Sequence, residues 1–126
     1  MIAAGSFSPV DQDIVRLVVS QYNGCAYCVA AHTGSLQAKG LSKQEIIDIR
    51  KGKPADPKQS ALVAYTLKIM DTRGFVSDSD IAAFKNAGFT DTHVAEITVL
   101  IAQKTISNYF NHIHDTDLDL PRAPEI

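Results

Sequence analysis

The chain has 126 residues, is 45% hydrophobic and 21% charged, and carries a formal net charge of −2. That is the size of a single domain, 1–126, able to build a core without a metal or disulfide staple. Its acids and bases are interspersed with no basic stripe, which argues against a nucleic-acid partner, and no apolar run is long enough to span a bilayer.

Helix punctuation is dense. Ser8-Pro9-Val10-Asp11 supplies an N-cap, a proline at the first helical position and an acid at the third. A first helix is expected from about Pro9 to Tyr22, with Val10, Ile14, Leu17 and Val18 on one stripe. Val15 and Val19 widen that stripe, so this helix should be buried on more than one side. Asn23-Gly24 breaks the pattern, and a second helix should start near Cys25 and end at Gly40. Ser42 to Glu45 is a capping box for a short third helix ending before Gly52. Asp56 and Pro57 cap and open a fourth, which Gly74 stops. Ser77 starts a fifth, ended by Gly88, and Thr90 caps a sixth. The tail from Asp115 to Ile126, with Pro121 and Pro124, reads as extended. No segment alternates with period two, so the expected fold is all-α, a small bundle of about six helices.

Both cysteines lie in one short stretch, Cys25-Ala26-Tyr27-Cys28, followed by His32. The steps of three and four residues are helix steps, so these side chains share a face if the segment is helical. Val29 and Leu36 lie on the same face, which should bury the thiols in part. Residues three apart in a helix have Cα atoms roughly 5 Å apart, within disulfide range. Two thiols and an imidazole in this relation are the minimum apparatus for thiol–disulfide or peroxide chemistry. The short Asn23-Gly24 turn should make the first two helices antiparallel and set the region of Asp13 beside His32. Asp11 and Asp13 are the acids of the first helix, and either could orient the imidazole and raise its basicity. Cys25 gains from the helix N-terminus and Cys28 from the nearby base, so the two effects favour different thiols. We assign Cys28 as the inner, base-assisted nucleophile and Cys25 as the outer, exchanging partner.

On the sixth helix, Val94, Ile97, Ile101, Thr105, Asn108 and His112 continue one stripe that changes from apolar to polar. Asn108 and His112 are therefore expected at the thiol site or at a subunit contact. Met1 to Ser6 lacks the basic and apolar regions of a secretory signal, so a reducing cytoplasm is the expected compartment.

The stretch Val19 to His32, together with Gly40-Leu41-Ser42, Asn108 to His112 and Asp119-Leu120-Pro121, resembles the AhpD-like branch of the carboxymuconolactone decarboxylase superfamily. The resemblance implies an all-helical homo-oligomer acting as an alkylhydroperoxidase or disulfide reductase. In that family the second cysteine attacks peroxide, the first resolves it into a disulfide, and a Glu–His relay assists. Those roles fall on Cys28, Cys25 and His32. The family's glutamate falls at Asp13, which is one methylene shorter. That leaves three options: closer helices, a bridging water or a weaker relay. Tyr27 stands where the type member has a second histidine. Tyr27, Asn108 and His112 are the candidates for substrate contact. The resemblance implies no cofactor beyond a redox-active Cys25–Cys28 disulfide, reset by an external dithiol or thiol protein, with a small hydroperoxide as substrate.

Two other readings stay open. The cysteines could be half of a zinc site with His32 and either His112 or His114. They could also be inert packing residues of a non-catalytic or lactone decarboxylase-like relative.

Overall fold

In the computed structural model, which describes residues 6–126, the elements are α1 (Pro9–Asn23), α2 (Ala26–Ala38), α3 (Lys43–Arg50), α4 (Pro57–Thr72), α5 (Asp78–Asn86) and α6 (Asp91–Ile113). No strand occurs among the described residues. Met1 to Gly5, part of the segment read above for leader character, lie outside them.

The caps form where the side chains call for them. Ser8, Ser42, Asp56 and Ser77 each accept a hydrogen bond from a backbone N–H of the first turn they precede. Ser42 and Glu45 close a reciprocal capping box. At α6 the return partner is a histidine: His93 Nδ1 accepts the Thr90 N–H at 2.9 Å. His93 Nε2 then donates to the Ser6 carbonyl at 3.1 Å, and its ring packs edge-on against Phe7 and Phe89.

Helix α1 is the axis of the molecule and packs against α2, α4 and α6. Gln12 to Val15 and Leu17 to Ser20 are all buried, so the widened stripe is a helix enclosed on several sides. Ile14, Leu17, Leu36, Leu62, Ile97 and Leu100 join it in one core, each at most 1% exposed. Each such side chain contributes about 1.5–3 kcal/mol by leaving water.

The α1–α2 turn positions the cysteines. Gly24 ends α1 at φ 71°, in the left-handed region where a β-carbon is strained. The next residue then returns to the helix it left: the Cys25 N–H donates to the Ser20 carbonyl at 3.0 Å. Cys25 becomes the N-cap of α2 rather than its first turn, with Sγ accepting the Cys28 N–H at 3.4 Å.

Candidate active site

Asp13 is the acid that α1 brings to His32. Its Oδ1 lies 3.1 Å from His32 Nδ1, while its Oδ2 accepts from the Ser35 hydroxyl at 2.6 Å and from the Lys39 ammonium. Arg16 stands 3.8 Å from Oδ1. The shorter aspartate thus reaches the imidazole directly, because the antiparallel helices lie close enough. Burial works against the Asp13 charge, but the hydrogen bonds from His32, Lys39 and Ser35 outweigh it and hold the carboxyl well below the usual carboxylate range. Asp11 stays at the helix cap, where its N–H donates to Ser8 Oγ.

An ionised Asp13 accepts only, so His32 Nδ1 must carry the proton it donates. Burial lowers the His32 pKa; Asp13 pulls it back in part, and the Lys104 charge pushes it further down. The ring is therefore neutral at pH 7, with its lone pair on Nε2. That nitrogen is buried and has no hydrogen-bond partner within the described chain. It is a base held in one tautomer with its acceptor site unused.

Both cysteines are free thiols, 1% and 2% exposed, and hydrogen-bond to each other. Their acidities diverge. Burial raises the Cys25 thiol, and its neighbour Cys28 adds to the rise. Burial also acts to raise Cys28, but the Cys25 hydrogen bond, the Lys104 charge and the amides of Asn108 and Asn111 bring it below the ordinary thiol value. The lowering at Cys28 comes from Cys25, Lys104 and the amides of α6, and not from His32, the base expected to favour it.

Helix α6 supplies the polar wall. Asn111 Nδ2 donates to Cys28 Sγ at 3.3 Å. Asn108, fully buried, donates to Ser20 Oγ at 3.2 Å and accepts from Asn23 Nδ2 at 3.0 Å, tying α6 to the turn that carries Cys25. His112 stands exposed and stacks on Tyr109, with ring centroids 6.4 Å apart. The buried line of α6 runs through Ile97, Leu100 and Asn108, and one further step of three residues brings Asn111, not His112, to the thiol. Asn111 and Lys104 were missed by the sequence reading. The signal was present in the spacing of Lys104, Asn108 and Asn111, which are four and three residues apart. Tyr27 is half-buried beside the pair. His114 is exposed and packs on Phe110, 4.2 Å between ring centroids. No group of three or more His, Cys, Asp or Glu side chains able to hold a metal ion occurs among the described residues.

Residues 1–52 match the model of the carboxymuconolactone decarboxylase family. The fold is that of solved AhpD-like structures. The chain therefore shares the fold of AhpD-like structures, and its first 52 residues are similar to the carboxymuconolactone decarboxylase family.

A peroxidase-related protein from Silicibacter sp., uncharacterised, superposes with a TM-score of 0.82 at 18% identity over 93% of this chain. A peroxidase-related protein from Ralstonia eutropha, also uncharacterised and described as an alkylhydroperoxidase AhpD core, gives 0.78 at 23% identity over 86%. A protein of unknown function from Agrobacterium tumefaciens, suggested to be the antioxidant defence protein AhpD, gives 0.82 at 22% identity over 95%. The chain spans 63%, 59% and 84% of those three proteins respectively. None of the curated proteins compared matches it.

Proposed function

We propose that the protein is a thiol-dependent peroxidase or disulfide oxidoreductase of the alkylhydroperoxidase type. The observation that carries this reading is the Cys25–Cys28 pair itself: two hydrogen-bonded thiols of which only Cys28 is made more acidic by its surroundings. A neutral His32 with a buried, unused Nε2 stands one helical turn further along the chain. His32 accepts the Cys28 proton, directly or through the incoming hydroperoxide, and Asp13 stabilises the imidazolium that results. The Cys28 thiolate attacks the distal peroxide oxygen; the O–O bond breaks, an alkoxide leaves and is protonated by His32, and Cys28 becomes a sulfenic acid. Cys25 then attacks that sulfur and expels water, forming the Cys25–Cys28 disulfide. An external dithiol returns two electrons and resets the pair.

Replacing Cys28 by alanine should abolish hydroperoxide consumption in the presence of a dithiol donor. A Cys28→Ala protein that consumes organic hydroperoxide as fast as the wild type would remove this reading. Among the described residues no three His, Cys, Asp or Glu side chains group to hold a metal ion, which favours thiol chemistry over a zinc module; stoichiometric zinc that protects both thiols from alkylation would reverse that order.

The exposed residues Val99, Ile106, Tyr109, Phe110 and Ile113 on α6 support assembly into a homo-oligomer. A monomer in sedimentation velocity at micromolar concentration would refute that part. No helix among the described residues is long and apolar enough to cross a membrane, and the cytoplasm is the proposed location.

A further inference from the structure

Cys25 and Cys28 face different surroundings. Cys28 meets the amides of α6. Cys25 instead lines a cleft of about 220 Å³ closed on one side by the C-terminal tail, together with Gln21, Arg50, Arg122, Pro124 and Glu125. Arg50 is half-buried in its wall and bonded only to neutral acceptors: Nε donates to Gln21 Oε1 at 2.8 Å and a terminal nitrogen donates to the Pro124 carbonyl. A guanidinium has five N–H donors, so most of Arg50's are uncommitted. Arg122 has neither a hydrogen bond nor an ion pair among the described residues. The acid of the cleft, Glu125, is exposed and forms no ion pair with either arginine. Two cations without a carboxylate partner therefore stand around the mouth that leads to one sulfur of the pair.

We propose that this cleft is an anion-binding subsite, and that it selects a small carboxylate-bearing thiol as the reductant delivered to Cys25. A guanidinium binds a carboxylate through two parallel N–H donors, which fixes orientation as well as charge. Drug-sized ligands occupy pockets of roughly 300–1,000 Å³, so the smaller volume here fits a compact thiol acid.

The role as a reductant site rests on the redox reading above. In that role the donor thiolate attacks Cys25 Sγ as the Cys25–Cys28 bond breaks, and Cys28 leaves as a thiolate. A second donor thiolate attacks the donor sulfur of the mixed disulfide and releases the Cys25 thiolate. Two electrons pass to the protein, and the donor departs as its disulfide. The two faces are then divided by task, peroxide arriving at Cys28 and reductant at Cys25.

The test uses two alkylating probes of similar size and opposite character, iodoacetate and iodoacetamide, on the reduced full chain. The extent of reaction at each cysteine is followed by peptide mass spectrometry. The informative quantity is the iodoacetate-to-iodoacetamide rate ratio at Cys25. Losing one charge-assisted contact should lower that ratio about fivefold or more in Arg122→Gln and in Arg50→Gln. Glu125→Gln should raise it, and the ratio at Cys28 should stay as in the wild type for Arg122→Gln. Arg122 is exposed on the tail, so its replacement tests the site without risk to the core. A ratio at Cys25 that is unchanged in both arginine variants overturns the proposal. So does a Cys25 that neither reagent reaches while Cys28 reacts. These readouts need no peroxide and no disulfide, so a failure of the peroxidase reading would show separately, as an absence of hydroperoxide turnover.

Discussion

Replacing Asp13 by asparagine separates the electrostatic role of the buried carboxylate from its shape. The wild-type side chain is 5% exposed and accepts from His32 at 3.1 Å, from Ser35 at 2.6 Å and from Lys39. Hydrogen bonds to a charged group are worth about 1.5–3 kcal/mol each when buried. Lys39 is one-third exposed and Ser35 can turn to solvent, so much of their contribution is recovered by water. His32 cannot recover in the same way. We therefore expect a net loss of about 2 kcal/mol, or roughly a 1 M fall in the urea midpoint. The sign with pH follows from the depressed Asp13 pKa. A carboxyl held below its unfolded value stabilises the fold above that value and loses this contribution as the pH falls toward the folded one. The gap between wild type and Asp13→Asn should thus be full at pH 7 and should narrow once the pH drops below the ordinary aspartate value of 3.8.

Activity should fall by more than stability explains. An asparagine amide can donate to Nδ1, which moves the ring proton to Nε2 and turns the base into a donor. Positioned general bases contribute about 10²–10⁴-fold, so kcat/KM for hydroperoxide should drop by about 10² or more while the fold persists. The measurements are urea unfolding by circular dichroism at pH 7 and pH 3.5, and initial rates at 25 °C. A gap in the urea midpoint that is the same at both pH values, with kcat/KM within twofold of the wild type, would refute the reasoning.

Asn111→Ala removes the amide that donates to Cys28 Sγ. Losing one hydrogen bond of about 1 kcal/mol should slow iodoacetamide alkylation of Cys28 about fivefold near pH 7, and an unchanged rate would show that the bond does not favour the thiolate. The pH profile of that alkylation should have its midpoint below the ordinary thiol value of 9.0, and Lys104→Gln should move it upward by removing a favourable charge. A midpoint that stays put in Lys104→Gln would assign the acidity to the Cys25 and asparagine contacts instead.

Much of the site was legible because its parts are local. The step from Cys28 to His32 sets both on one side of α2, whatever the rest of the chain does, while Cys25 stands before the helix as its cap. The caps at Ser8, Ser42, Asp56 and Ser77 were equally plain, since a hydroxyl or carboxylate before a first turn meets its own backbone. Asp13 was legible only as one of two acids. The turn length gave its approximate level, and the packing distance between helices α1 and α2 decided that its short side chain suffices. His112 illustrates the opposite outcome. Its place on an ideal stripe pointed inward, but the buried line of α6 drifts toward Leu100 and Asn111, and the histidine is left in solvent.

The sequence alone determined the helices, their order, the capping of most of them and the helical step from Cys28 to His32, because each depends on residues within a turn or two of one another. The tertiary structure alone decided how α6 acts on the pair: beside the local Cys25 hydrogen bond, the lowering at Cys28 draws on Lys104, Asn108 and Asn111, about 80 residues away along the chain and brought to it only by the packing of α6 on the α1–α2 turn. It also decided that Arg50 and the C-terminal tail meet over Cys25, because a long-range contact between a helix end and an extended segment leaves no periodic trace in either.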